Sequence, residues 1–323
     1  MAEAKPSLDQ LAEQLRQAQA AGDPWKQGIA LNNLGSYYKD CRETAKAVEQ
    51  FQKALELFTA LADAEKKATV LNNLGGTYLD AQQYQAALEQ FAMALGTYGS
   101  LNHSFGQAMA LNNMGGVHLV LGRYEDARKQ FILSASFFRS AQTPAWEGQA
   151  LENLAAAEAG TGNLKAAIES YGRALEIWQK QNQTDRQSMI LNRIAGLYAS
   201  MNDRRRAVEL YSRSLALTQK TGNTAVEAAT RSSLGRVHFE AKDWAAARLE
   251  YEQALRLYKE GKDKRGEALS LLGLGRLDLA TGEEQVRSAA AMLRDLGDTA
   301  GERAALDLLK DESEAPAAQE KPA

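Results

Sequence analysis

The amino-acid sequence predicts an all-α fold, an α-solenoid of stacked helical hairpins, and three observations support this prediction. First, the sequence ALNNLG at residues 30–35 returns as VLNNLG at 70–75 and as ALNNMG at 110–115, and weaker copies begin at residues 150, 190, 230 and 270. Second, the step between copies is 40 residues throughout, which is the signature of a solenoid. Third, apolar residues within each repeat recur at the three- and four-residue spacing of a helix face.

The second repeat shows why each unit is predicted to contain two helices. Residues 64–79 place apolar or small side chains on one helix face, at Ala68, Leu71, Leu74, Gly75 and Tyr78. Residues 80–83 form a short break, and a second face of the same periodicity follows over residues 84–98. Each repeat is therefore predicted to be a helical hairpin.

Local signals predict where the helices begin and where the turns lie. Side-chain acceptors precede predicted helix starts at Asp23, Thr143, Asn223 and Asp263. Helix-breaking residues mark the inner turns at 121–123, 161–163, 201–203 and 281–283.

These signals divide the chain into a capped array. Residues 1–23 are assigned to an N-terminal capping helix, residues 298–310 to a C-terminal capping helix, and residues 311–323 to a disordered tail rich in Glu, Ala and Pro. The seven predicted hairpins span 24–63, 64–103, 104–143, 144–183, 184–223, 224–263 and 264–297.

Equivalent positions of the repeats form columns, each named here after its residue in the first repeat. The Ala47 column keeps a small side chain where two helices must approach, at Ala87, Ala127, Ala167, Ala207 and Ala247. The Phe51 column keeps an aromatic ring, at Phe91, Phe131, Tyr171, Tyr211 and Tyr251. Burial of each ring is expected to contribute about 2 to 3 kcal/mol to stability.

These columns, together with Leu-Gly and Tyr38 in the first helix, resemble the tetratricopeptide repeat. The resemblance covers residues 24 to about 310, and the 40-residue unit is similar to the repeats of kinesin light chains, spindle-orientation adaptors and bacterial peptide-receptor regulators. It implies a right-handed superhelix whose first helices line a concave groove, and a function in binding peptides or partner proteins. In these families Asn at the Asn33 position commonly holds the ligand backbone.

Composition narrows the partners and the compartment. The net charge of −3 gives no sign of nucleic-acid binding, and no apolar run reaches the roughly 20 residues of a membrane helix. A single cysteine, Cys41, allows no intramolecular disulfide and fits a reducing compartment. We expect a cytoplasmic protein, the alternative being an exported protein whose leader has been removed.

Asparagines on the first helices are the leading candidates for ligand contact. An amide offers a donor and an acceptor at one place, which matches a peptide group. The candidates in the Asn33 column are Asn33, Asn73, Asn113 and Asn153, and those in the Asn32 column are Asn32, Asn72, Asn112 and Asn192. The alternative is that these amides bond to the neighbouring helix.

Glycine and arginine extend the predicted groove. Gly76 and Gly116 sit inside predicted helices, where glycine is unfavourable, and they are expected either to clear the groove floor or to allow tight packing. Arg193, Arg236 and Arg276 bring positive charge to the C-terminal half, where they would bind an acidic or phosphorylated segment or pair with nearby carboxylates. Arg231 replaces leucine in a core column and is expected either to reach outward or to loosen that joint.

No catalytic, cofactor or metal constellation is predicted. His118 and His238 occupy the Tyr38 column, where they are expected to pack and form hydrogen bonds, and His103 lies in a junction. The favoured function is a non-enzymatic scaffold that binds an extended partner segment. Two alternatives remain: a regulator whose superhelical pitch changes on binding a peptide, and an assembly factor that self-associates.

Overall fold

The chain folds into helices that follow one another at regular intervals. A computed structural model describes residues 6–277 and 282–313, which form sixteen α-helices and no β-strand. The helices are α1 (Leu8–Ala20), α2 (Pro24–Asp40), α3 (Thr44–Ala60), α4 (Ala64–Asp80), α5 (Tyr84–Ser100), α6 (Ser104–Val120), α7 (Tyr124–Ser140), α8 (Pro144–Gly160), α9 (Leu164–Lys180), α10 (Thr184–Ser200), α11 (Arg204–Thr221), α12 (Thr224–Glu240), α13 (Trp244–Glu260), α14 (Lys264–Gly275), α15 (Gly282–Asp295) and α16 (Thr299–Ser313). The all-α prediction is confirmed.

Helix and turn lengths explain the 40-residue period. In the first three repeats every helix has 17 residues, and three-residue turns separate successive helices. The middle residue of the turn has a left-handed backbone, with φ of 60° at Arg42 and 53° at Ala62. The next amide then bonds back into the helix, as Glu43 N–H does to the Tyr38 carbonyl at 2.9 Å. Each turn therefore closes its helix in the same way.

The described residues cluster into two compact units, Met1–Ile177 (unit 1) and Trp178–Ala323 (unit 2). In unit 1, α1 packs against α2, and the pairs α2–α3, α4–α5 and α6–α7 pack as hairpins. In unit 2 the hairpins are α10–α11, α12–α13 and α14–α15, and α16 packs against α15. None of the helices in the described ranges has the length and apolar character needed to cross a membrane.

The predicted core columns are buried in both units. Ala47, Ala87, Ala127, Ala167, Ala207 and Ala247 are fully buried. The aromatic column fills the space beside them: Phe51, Phe91 and Phe131 are fully buried, and Tyr171, Tyr211 and Tyr251 are 4%, 1% and 6% exposed. Sequence columns therefore identified the hairpin cores correctly.

The first glycine of each Gly-Gly pair makes room for the aromatic column. A Cβ atom on Gly75 would lie 2.7 Å from the ring of Phe91, and one on Gly115 would lie 2.7 Å from the ring of Phe131. These glycines let the two helices of a hairpin close onto the ring.

Several predicted helix ends differ from the structure. Thr143 does not cap α8 with its side chain, because its hydroxyl donates to the Phe138 carbonyl at 3.0 Å instead. Gly282, predicted to lie in an inner turn, is the first residue of α15. The last helix continues to Ser313, so residues 311–313 are helical and the tail prediction was wrong there. Residues 314–323 of the predicted tail lie outside the described ranges.

Candidate functional site

Asparagine side chains of unit 1 bond to one another between successive hairpins. In each bond the donor is an asparagine of the Asn33 column. The acceptor is the side-chain oxygen of the Asn32-column asparagine on the first helix of the preceding hairpin. The three bonds, each 3.0 Å long, are Asn73 Nδ2 to Asn32 Oδ1, Asn113 Nδ2 to Asn72 Oδ1, and Asn153 Nδ2 to Asn112 Oδ1. We call this series the amide ladder, and the side of α2, α4, α6 and α8 that carries it the first-helix face of unit 1.

The amide ladder leaves part of each side chain unused. An asparagine amide has two N–H donors and an oxygen with two lone pairs, and each ladder bond uses one donor and one lone pair. The ladder side chains are half-buried, whereas Asn33, which begins its column, is exposed. Asn33 forms no side-chain hydrogen bond within the described residues. The face therefore keeps regularly spaced donors and acceptors.

The second glycines of the Gly-Gly pairs differ in their surroundings. A Cβ atom on Gly116 would meet no atom within 4 Å, so the floor there is open. One on Gly76 would lie 3.1 Å from Lys39 Nζ, which also pairs with Asp80 at 3.6 Å. Only Gly116 of the two predicted floor glycines borders open space.

In unit 2 the amide ladder is replaced by other polar groups. Asn192 Nδ2 donates to the Thr230 hydroxyl at 2.6 Å, and the Asn33 column now holds Arg193, Ser233 and Gly273. We call the exposed side of α10, α12 and α14 the first-helix face of unit 2.

The three predicted arginines on this face are all exposed but differ in their contacts. Arg236 pairs with Glu240 at 3.4 Å, and the Arg276 guanidinium lies 4.7 Å from the centroid of the Phe239 ring. Arg193 forms no ion pair with any described residue. Within the described residues, one of the three is therefore in the carboxylate pairing that the sequence left open. Asp278, another predicted partner, lies outside the described ranges.

Arg231 is held inside its joint by two carboxylates. Its guanidinium pairs with Glu227 at 2.8 Å and with Glu250 at 3.0 Å, and the side chains of all three residues are less than one-fifth exposed. Arg231 therefore does not reach outward, because its charge is paired within the joint.

A cavity of about 290 Å³ opens between α12 and α14 on the first-helix face of unit 2. Its lining includes Ser232, Ser233, Arg236, Arg276 and Tyr251. Burial raises the pKa of Tyr251 to about 12, and the nearby positive charges of Arg276 and Arg236 only partly oppose this shift. The phenol therefore stays protonated at neutral pH and can donate a hydrogen bond.

Tyr251 is a candidate that sequence reasoning missed. It was assigned to the core as part of the aromatic column. The available signal was the change from Phe at positions 51, 91 and 131 to Tyr at 171, 211 and 251, since a hydroxyl in a core column needs a partner.

Two titratable groups in the Tyr38 column of unit 1 have pKa values that burial shifts. Desolvation by burial lowers the pKa of His118, whose Nδ1 atom is buried without a hydrogen-bond partner among the described residues. Burial also raises the pKa of Glu158, which accepts a 2.7 Å hydrogen bond from Ser170. The predicted hydrogen bond of His118 is thus absent at Nδ1. In unit 2, His238 Nδ1 lies 3.8 Å from Asp243 Oδ2.

His103 has a structural role that the sequence did not predict. Its Nδ1 atom accepts a 2.9 Å hydrogen bond from Gly106 N–H and so caps α6. Across the described ranges, no three His, Cys, Asp or Glu side chains are grouped as a metal site would require.

Solved structures similar to this chain share its helical-repeat fold. Aspartyl phosphate phosphatase F from Bacillus subtilis is 18% identical, with a TM-score of 0.60 over 96% of this chain and 76% of that one. A putative kinesin light chain from Podosopora anserina with nearly identical repeats is 16% identical, with a TM-score of 0.54 over 62% and 98%. The Rap conjugation gene regulator of plasmid pLS20, in complex with the Phr* peptide, is 15% identical, with a TM-score of 0.52 over 92% and 81%. At these identities the likeness shows the fold alone.

Sequence comparison identifies the family. No curated protein matches the chain by sequence. The tetratricopeptide-repeat family model, however, matches residues 26–99, 106–180, 146–220 and 186–260, which together cover more than half of the chain. The chain therefore belongs to the tetratricopeptide-repeat family.

Proposed function

We propose that this protein is a non-enzymatic interaction scaffold that binds an extended segment of a partner protein or peptide on its first-helix faces. The observation that carries the proposal is the regular spacing of polar groups on these faces. In unit 1, half-buried amides repeat from one hairpin to the next and keep unused donors and acceptors. An extended backbone offers donors and acceptors that such amides can bind whatever its side chains are.

Three further observations bear on this proposal. The open space beside Gly116 gives a bound backbone room to approach the helix. One of the similar structures, the Rap conjugation gene regulator, is in complex with a peptide. Exposed arginines on unit 2 would favour a partner segment that carries negative charge.

The absence of catalysis is part of the proposal. The likeness to an aspartyl phosphate phosphatase extends to the fold, and a fold does not carry an activity with it. We expect no hydrolysis of acetyl phosphate above the background rate, measured as release of inorganic phosphate. Turnover that a single substitution abolishes would contradict this part of the proposal.

Two glycines provide a matched pair of variants for testing the binding face. Gly116 lies on first helix α6 and Gly96 on second helix α5, and a Cβ atom on either would meet nothing within 4 Å. Gly116→Leu places a bulky side chain on the proposed binding face. Gly96→Leu makes the same change on the second helix of the preceding hairpin.

The experiment compares partner capture by the three proteins. Wild type, Gly116→Leu and Gly96→Leu are immobilised and exposed to the same random decapeptide library, and retained peptides are quantified by mass spectrometry. We expect Gly116→Leu to lose the peptides that both other proteins retain. Equal retention by Gly116→Leu and wild type would place binding elsewhere and refute the proposed face in unit 1.

A further inference from the structure

The cavity between α12 and α14 contains a phenol that the fold brings close to the surface. In the hairpins before it, the Asn33 column carries a side chain, but in α14 it is Gly273. A Cβ atom on Gly273 would lie 2.6 Å from Tyr251 Cζ, the atom that carries the hydroxyl. The missing side chain therefore lets the hydroxyl end of Tyr251 reach the cavity.

In unit 2, the aromatic column contains Tyr211 and Tyr251, and the surroundings of their hydroxyl groups differ. Burial raises the pKa of the preceding ring, Tyr211, and a contact with the Ser233 hydroxyl partly opposes this shift. Tyr251 is 6% exposed and has no hydrogen-bond partner among the described residues, although it lines the cavity. Because the hydroxyl faces the cavity and has no partner among the described residues, it can donate a hydrogen bond to a ligand there.

Charged groups at the same cavity specify the ligand further. Arg236 on α12 and Arg276 at the end of α14 line the cavity from its two sides, and Ser232 on α12 adds a hydroxyl group. Among the described residues, the one carboxylate paired with this set is Glu240, at 3.4 Å from Arg236, and both side chains of that pair are substantially exposed. Counted over the described residues, the cavity therefore presents two cations and one exposed carboxylate.

Donors approach from three helices, α12, α13 and α14. A carboxylate is planar and is satisfied by one guanidinium fork, whereas a phosphoryl group has three terminal oxygens arranged around phosphorus and carries more charge. We propose that the cavity formed by Arg236, Tyr251 and Arg276 binds a phosphoryl group, with each residue donating to it. This inference deepens the proposed function, since it names the negatively charged group that the first-helix face of unit 2 recognises.

Matched variants isolate the contribution of the hydroxyl. Tyr251→Phe removes one oxygen and installs the residue that Phe51, Phe91 and Phe131 already provide in the same column, so the hairpin is expected to fold. Tyr171→Phe makes the identical change in unit 1 and serves as the control. Arg276→Gln removes an exposed charge, and Glu240→Gln removes the competing carboxylate.

The first measurement is binding of inorganic phosphate to the full chain at pH 7.5, followed by the ³¹P linewidth at constant ionic strength. Loss of a hydrogen bond to a charged ligand weakens binding by about tenfold or more, and we expect this loss for Tyr251→Phe and Arg276→Gln. Tyr171→Phe should bind like wild type, and Glu240→Gln should bind more tightly. Acetate should bind more weakly than phosphate.

A second measurement distinguishes the source of the phosphoryl group. Random peptides with a fixed central phosphoserine, and the same peptides with serine, are exposed to wild type and to Tyr251→Phe. Selective retention of phosphoserine peptides by wild type identifies a phosphorylated partner segment as the ligand. Phosphate binding without such retention identifies a small phosphorylated molecule.

Two results would overturn the proposal. One is phosphate binding that Tyr251→Phe and Arg276→Gln leave unchanged, and the other is acetate binding as tight as phosphate binding. Neither result bears on the amide ladder, whose test uses Gly116→Leu in unit 1. Failure of the phosphoryl site is therefore distinguishable from failure of the proposed scaffold function.

Discussion

Asn73 donates a hydrogen bond from Nδ2 to Oδ1 of Asn32 over 3.0 Å, and this bond joins the first helices of two successive hairpins. Amides that the sequence predicts to contact a ligand thus join neighbouring repeats. The two roles are compatible, because one amide can bond to its neighbour and still offer a donor and a lone pair to a ligand.

The amide ladder should be measurable as an energetic coupling. A double-mutant cycle with Asn32→Ala and Asn73→Ala is expected to give a coupling of about 1 kcal/mol in the free energy of unfolding, the usual net value of such a bond. Urea denaturation supplies the free energies. Asn33→Ala is the matched control, since Asn33 lies in the same column and forms no side-chain bond within the described residues. Zero coupling between Asn32 and Asn73 would mean that their hydrogen bond does not stabilise the joint between the two hairpins.

Two adjacent glycines should respond oppositely to the same substitution. Gly115→Ala forces a Cβ atom to within 2.7 Å of the fully buried Phe131 ring, and overpacking of this kind costs roughly 1 to 3 kcal/mol. Gly116→Ala meets open space and should stabilise α6 by about 0.5 to 1 kcal/mol through helix propensity. Thermal unfolding followed by circular dichroism checks both. Destabilisation by Gly116→Ala would show that the space beside it is not open.

Glu158 should make stability depend on pH in a defined direction. Its pKa is raised in the folded chain by burial, so the native state binds the proton more tightly than the unfolded state does. The free energy of unfolding contributed by Glu158 is therefore largest at low pH and falls as pH rises from about 4.5 through the folded pKa.

Glu158→Gln tests this dependence because it stays neutral and can still accept from Ser170. Its Tm relative to wild type should increase across that pH range and then level off. Glu176→Gln, at an exposed position of the same hairpin, is the control and should show a flat difference. A pH-independent difference for Glu158→Gln would contradict a raised pKa.

We expect Arg231 to be needed for stability, because it neutralises the two carboxylates around it. Arg231→Leu restores the residue of the equivalent column but leaves Glu227 and Glu250 without their shared cation at side chains 16% and 17% exposed. We expect a loss of roughly 1 to 3 kcal/mol in the free energy of unfolding by urea titration. Adding Glu227→Gln and Glu250→Gln should recover most of it. Stabilisation by Arg231→Leu alone would mean that the ion pairs contribute less than leucine packing.

Contacts within a hairpin could be predicted from the sequence, because each involves a column that repeats. The Ala47 and Phe51 columns were assigned to the core, and their side chains are buried. Gly75 and Gly115 likewise lie against the rings of Phe91 and Phe131. Repetition of one residue type at one position is direct evidence of a shared environment.

Contacts between columns could not be predicted in this way. The bond from Asn73 to Asn32 spans 41 residues and joins two different columns, so neither column alone indicates it. Arg231 departs from its column and pairs with Glu227 and Glu250, which its own column does not indicate. Tyr251 keeps the residue type of Tyr171 and Tyr211, but its surroundings depend on Gly273 in another column. The ligand contacts predicted for the asparagines and arginines stay predictions.

The 41-residue offset of the amide ladder also bears on how such a chain can grow. In the second and third repeats, donor and acceptor sit side by side, one facing backward and one facing forward along the series. Tandem duplication of either 40-residue unit would therefore reproduce the amide hydrogen bond at the new joint with no further substitution. A duplication that is not a whole number of 40-residue units would separate the paired amides. The amide ladder is therefore preserved only when the array expands by whole units.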